Sequence, residues 1–132
     1  MGEKTLVDSQ IADAIAFVRQ LDAGGIPPTL AVWYFYDDAA EWRLLLAGPF
    51  FDGLLPKQEQ VAYRRIVDTM SYLTLSSLTL SDIKLVRSDS PPSLAIRSLI
   101  RTNADAVGTM HFANTTLNGI FISAMTVLRS AS

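Results

Sequence analysis

Residues 29–52 constrain this chain more than any other stretch. Two runs rich in aromatic, β-branched and aliphatic residues, Leu30 to Tyr36 and Trp42 to Ala47, flank the polar segment Asp37 to Glu41. Side chains of that kind fit a pleated, half-buried surface, and a short polar connection between two such runs is a hairpin signal. The pattern predicts strands over 30–36 and 42–47. Pairing them around the polar segment sets Tyr36 beside Trp42 and Tyr34 beside Leu44, with Trp33 and Leu45 sharing the opposite face. Neither face of the first strand is polar, which places it inside a sheet rather than at its margin.

The remaining elements follow from periodicity and punctuation. Val7, Ile11, Ala14, Ile15 and Val18 share one helical face, predicting a helix over 6–22 that Thr5 and Asp8 cap and that Gly24-Gly25 ends. A second helix is expected from about Pro56, burying Tyr63, Ile66, Val67, Met70 and Leu73. The leucine- and serine-rich stretch 75–81 reads as a loop, and Ile83 to Val86 as a short strand. Ser90 and Pro91 open a third helix that runs to about Arg101, burying Leu94, Ala95, Leu99 and Ile100 while Arg97 and Arg101 project. Thr109 to Ala113 and Ile120 to Leu128 form a second hairpin around Asn114 to Gly119, with Asn118-Gly119 the strongest turn signal in the chain. The expected order is α-β-β-α-β-α-β-β.

Composition narrows the function classes. The 132 residues suffice for a single α+β domain with its own core, and the absence of cysteine excludes disulfides, a thiol nucleophile and cysteine-ligated zinc. A net charge of −2 argues against a nucleic-acid binder, which needs clustered positive charge to displace counterions. The apolar stretch Leu44 to Leu55 is interrupted by Gly48, Pro49, Asp52 and Gly53, so it is not a membrane span. The first residues, with Glu3, Lys4 and Asp8, lack the apolar region of a secretory signal, and a cytoplasmic location is expected.

Candidate motifs mostly have plain explanations. Gly48 and Gly53 have phosphate-loop spacing, but Leu54-Leu55 stand where lysine and serine or threonine are required. Ser81-Asp82-Ile83-Lys84 matches an S-x-x-K pattern without its companion motifs. Asn114-Thr115-Thr116 is a formal glycosylation sequon that turn chemistry explains equally well. Asp37, Asp38 and Glu41 read as solvated turn formers. His111 is the only histidine, so it cannot anchor a multi-histidine metal site, and no partner constellation marks it as a base. Arg43, inside an apolar strand, must reach water, an acid or a ligand. Lys84, Arg87, Arg97 and Arg101 are expected to be a solvated face.

Taken together, Leu30-Ala31-Val32-Trp33-Tyr34-Phe35-Tyr36, Glu41-Trp42-Arg43-Leu44-Leu45-Leu46-Ala47-Gly48-Pro49, Ala62-Tyr63-Arg64 and Asn118-Gly119-Ile120 resemble a group of small bacterial α+β proteins. Those read roughly A-L-W-x-Y, W-R-L-L-I-A-x-P, A-Y-R and N-G-V. The likeness covers nearly the whole chain but departs at Ser123 to Arg129, where an acid and a Tyr-x-Tyr-Arg ending would stand. The group has no assigned activity, so the resemblance implies a bacterial family without implying a mechanism.

The resulting expectation is an α+β domain. It has one five-stranded, mainly antiparallel sheet and three helices, packed mostly on one face. The leading functional reading is a non-enzymatic protein acting through self-association or a protein partner, without cofactor, metal, nucleic acid or membrane. Too few helices to cover both faces would leave an apolar patch, with Trp33, Phe35, Phe121 and Met125 as interface residues of a homodimer. The loop at 74–82 is the competing cover. The alternative reading is a binder of a small anionic ligand, or an enzyme, with a pocket near Tyr36, Trp42, Arg43 and His111.

Overall fold

The hairpin forms, with a register one residue away from the expected one. In the computed structural model, which describes residues 6–131, β1 (Leu30–Tyr36) and β2 (Glu41–Ala47) pair antiparallel, Tyr36 opposite Glu41, Phe35 opposite Trp42, Tyr34 opposite Arg43 and Trp33 opposite Leu44. The turn is shorter than expected because Glu41 joins the ladder. Ala40 closes it in the left-handed region, at φ 52°, and its amide reaches the Asp37 carbonyl at 3.2 Å. Side chains alternate with a period of two, so a slip of one residue moves every cross-strand neighbour to the other face. Trp42 therefore packs against Phe35, ring centres 5.3 Å apart, and not beside Tyr36.

The sheet has the order β3-β2-β1-β5-β4. Its other members are β3 (Ile83–Leu85), β4 (Met110–Leu117) and β5 (Ile120–Ser130). Only the β2–β3 pairing is parallel, which makes the sheet mixed. As its composition requires, β1 is central and almost wholly buried. The second hairpin turns on Asn118 and Gly119 alone, both at positive φ, as a type I′ turn demands. Asn114, expected in that turn, lies instead within β4, with φ 50°.

Among the described residues four helices, not the expected three, cover the sheet. On one face α1 (Asp8–Ala23) contributes Ala14, Phe17, Val18 and Leu21, and α3 (Glu59–Met70) contributes Ala62 and Ile66. Between β2 and α3, the single turn α2 (Pro49–Asp52) inserts Phe51 into the same layer, while Phe50 stays exposed. Leu78, from the expected loop, completes it. The connection from β3 to β4 runs from one sheet edge to the other and carries α4 (Pro91–Leu99) over the second face. There Ala95 and Ile96 meet Val32, Leu45, Met125 and Val127. The second face thus has its own core, so the patch expected from too few helices does not open at the sheet centre.

Several helix faces are rotated from the expected ones. In α1 the buried set centres on Phe17 and Leu21, and Val7 is exposed; the expected Thr5 cap lies outside the described residues, and Gln10 instead accepts the Val7 amide at 3.0 Å. In α3 Val67 is exposed and Thr69 buried, and the helix begins at Glu59 rather than near Pro56. In α4 Leu94 and Leu99 are exposed. Arg97 turns back to the chain, donating to the carbonyls of Ser88 and Ala131 at 3.0 Å each, which fixes the opposite, small-residue face of α4 against the sheet.

Two buried polar devices tie distant segments together. The Asp13 carboxylate, on the inner side of α1, accepts the amides of Ser76, Ser77 and Leu78 at 2.9, 2.6 and 2.9 Å. At the other end of the sheet, a bulge at Leu128 puts Arg129 opposite Ala31 and Val127 opposite Val32. The fully buried Arg129 forms a bidentate pair with Asp22, both contacts 2.7 Å, and donates further to the carbonyls of Ala106 and Pro28. Gly48 is a packing glycine: a Cβ there would lie 3.2 Å from the Pro28 Cα.

Candidate functional site

Two clefts contain the residues singled out from sequence, and they divide that set between them. The first, of about 390 Å³, lies between the tip of the β1–β2 hairpin and β3, lined by Tyr36, Asp38, Ala39, Glu41, Arg43, Tyr63, Ile83 and Lys84. Tyr34, Arg43 and Lys84 share its side of the sheet because Tyr34 is opposite Arg43 and Lys84 is level with Leu45. Arg43 donates to the Glu41 carboxylate at 2.7 Å and to the Ser81 carbonyl. Its charge is therefore matched within the chain, as an arginine in an apolar strand needs.

Lys84 holds its ammonium 4.9 Å from the centre of the Tyr36 ring, a cation–π arrangement. Among the described residues neither Lys84 nor Asp38 has an ion-pair partner. Tyr63, from α3, accepts the Leu85 amide on its hydroxyl oxygen at 3.0 Å, leaving its own proton available to the cleft. Burial pushes the hydroxyls of Tyr34 and Tyr36 above the ordinary tyrosine range. The neighbouring Tyr36 and Asp37 charges add to this at Tyr34, and Arg43 opposes it at Tyr36.

The second cleft, of about 350 Å³, is lined by Leu6, Trp42, His111, Phe112, Ala113, Ala124, Met125 and Thr126. His111 stands opposite Thr126 in the β4–β5 ladder and shares a 2.7 Å hydrogen bond between Nδ1 and the threonine hydroxyl. Among the described residues no carboxylate lines this cleft, so those residues do not give His111 the acidic partner of a general base. Tyr36 and Arg43 thus meet in one cleft, and Trp42 and His111 in another. The register explains the division, since Trp42 and Arg43 are adjacent in β2 and must face opposite ways.

The other sequence candidates fall into place individually. Of the four interface residues, Trp33, Phe35 and Met125 are 0%, 4% and 1% exposed within the chain's own core, whereas Phe121 is 56% exposed. Ser81 shares a hydrogen bond with Thr79 at 2.9 Å, while Lys84 lies against Tyr36, so the S-x-x-K residues have separate neighbours. The expected basic face is partly used internally: Arg87 pairs with Asp89 and donates to the carbonyls of Asp52 and Leu55, and Arg97 is bonded as described. Among the described residues no group of histidine and acidic side chains is arranged to hold a metal, and no helix is long and apolar enough to cross a membrane.

Tyr63 and Lys84 are the cleft residues that sequence reasoning did not assemble. Tyr63 looks like a core residue of an amphipathic helix, and the parallel β2–β3 pairing, which sets Leu85 level with Leu46, brings the edge that its hydroxyl caps alongside the first hairpin. No protein-family model, curated protein or solved structure matches the chain.

Proposed function

We propose that this protein is a non-enzymatic module that acts by self-association, and that two copies pair along β4 rather than through a sheet face. The observation that carries this reading is the contrast between the two sheet edges. β3 is three residues long, bears Lys84, and has its Leu85 amide occupied by the Tyr63 hydroxyl. Those are the features by which proteins blunt an edge. β4 is eight residues long, Met-His-Phe-Ala-Asn-Thr-Thr-Leu, with no charge and no proline, and among the described residues it pairs only with β5. An edge of that length and composition is a template for another strand. Exposed Met110 and Phe121 lie on β4 and β5 at this end of the sheet and add apolar surface to such a contact. A two-fold antiparallel pairing of β4 with its own copy closes the assembly at two subunits.

Sedimentation equilibrium across the micromolar range tests this. The expected mass is twice 14.5 kDa, and Ala113→Lys, at an exposed position in the middle of β4, should return a folded monomer because each lysine would meet its copy across the two-fold. A monomer mass throughout for the parent chain defeats the proposal, as does a dimer that Ala113→Lys leaves intact.

A further inference from the structure

The cleft at the hairpin tip has a charge pattern that the edge contact does not use. Four ionisable side chains line it besides the two phenols: Asp38 and Glu41, Arg43 and Lys84. Glu41 and Arg43 neutralise each other at 2.7 Å. That leaves one unpaired cation, Lys84, and one unpaired anion, Asp38, facing the same concave space among the described residues. A site for a simple anion would leave Asp38 repelling its ligand, and a site for a simple cation would leave Lys84 doing the same. A ligand carrying both signs satisfies both groups.

The uncharged lining supplies the rest. The Tyr63 hydroxyl, whose oxygen is held by the Leu85 amide, presents a donor in the same cleft as Lys84. Tyr36, Ala39 and Ile83 offer apolar surface for a small side chain. A volume of about 390 Å³ is near the lower end of the range for small-molecule pockets, which suits a ligand of amino-acid size and not a nucleotide.

We propose that this cleft binds a small zwitterion of the free amino-acid class, its carboxylate on Lys84 and the Tyr63 hydroxyl and its ammonium on Asp38. Both ionic contacts are open to water, so each is weak alone and recognition comes from meeting the two together. Affinity near the millimolar level is expected, about what two exposed ionic contacts and a modest apolar contact sustain.

The experiment is a titration of the ¹⁵N-labelled protein, followed by amide chemical shifts, with each of the common L-amino acids in turn. For the tightest of them, the matched carboxylate lacking the amine and the matched amine lacking the carboxylate are titrated as well. For leucine these are 4-methylpentanoate and 3-methylbutylamine. At least one amino acid should give saturable shifts at Asp38, Lys84 and their neighbours, with both single-charge analogues about tenfold weaker or more. Lys84→Met and Asp38→Asn, both at exposed positions, should each weaken binding by about tenfold while leaving the rest of the spectrum in place. Three results overturn the proposal: no saturable shift with any amino acid to tens of millimolar, a carboxylate analogue that binds as well as its parent, or binding that survives both substitutions.

Discussion

Arg129 offers the sharpest quantitative test of how this fold is held. Its guanidinium is fully buried and makes two 2.7 Å contacts to Asp22, with further bonds to Ala106 and Pro28. Removing the carboxylate leaves a buried cation with carbonyls only. For a fully buried pair the loss is about 3–5 kcal/mol. The Asp22 side chain is 30% exposed, so water can partly replace it, and Asp22→Ala should cost about 2–4 kcal/mol. Arg129→Met removes the charge but leaves the carbonyls of Ala106 and Pro28 without their donor, at about 1–3 kcal/mol. The double variant no longer buries an unpaired cation. It should therefore be less destabilised than the two single costs added, by about 2 kcal/mol, a coupling within the range measured for contacting groups. Urea unfolding of the four proteins measures all of this, with unchanged m-values as the check that the denatured state is comparable. Additivity of the two changes, or a cost for Asp22→Ala under about 1 kcal/mol, would show that the pair does not hold the bulged end of the sheet as argued.

Two further predictions concern other parts of the fold. Asp13→Ala should free the amides of Ser76, Ser77 and Leu78 and cost about 2–3 kcal/mol, since bonds to a charged acceptor are stronger than neutral ones; Asp13→Asn, which keeps an acceptor oxygen, should cost less, and unchanged hydrogen-exchange protection of those amides in Asp13→Ala would count against the latch. Burial raises the Tyr34 and Tyr36 hydroxyls in the folded state, so their folded form disfavours ionisation. The associated stability should be complete below about pH 10, the unfolded tyrosine value, and lost as pH rises through the raised folded values; phenolate absorbance that reaches its full amplitude within the ordinary tyrosine range, with the protein still folded, would contradict this.

The parts of this structure legible in the sequence are those specified locally. The Asn118-Gly119 turn needs positive φ at both positions, and only such residues supply it readily. The apolar runs on either side of Asp37 to Glu41 announce strands whatever surrounds them. Register was not legible, because it depends on Ala40 adopting a left-handed conformation that nothing about alanine signals. The rotated face of α4 depends on where Arg97 finds carbonyls, one of them on Ala131 at the far end of the chain. Of the candidate site, Tyr36 and Arg43 were legible as neighbours because one hairpin carries both. The sequence offers His111 no partner constellation, and β4 places it in the other cleft. Asp22 and Arg129 are 107 residues apart, and each alone looks like a surface charge.

The strand order described above has a bearing on how the chain can assemble during synthesis. β1, the first strand in chain order, has β5, the fifth, as one of its two neighbours, with Leu30 opposite Ser130 and the Ala131 amide on the Thr29 carbonyl at 2.7 Å. The middle of the sheet is therefore incomplete until β5, the fifth strand in chain order, has been made. Before β5 is available, the apolar first hairpin and α1 can associate, but β1 keeps one open side along its length. Joining it to β5 closes a loop that holds the other three strands and three of the helices, a slow step for a small domain. A nascent chain of this protein spends its vulnerable interval with its most apolar strand unpaired on one side, the state in which chaperone capture or aggregation competes with folding.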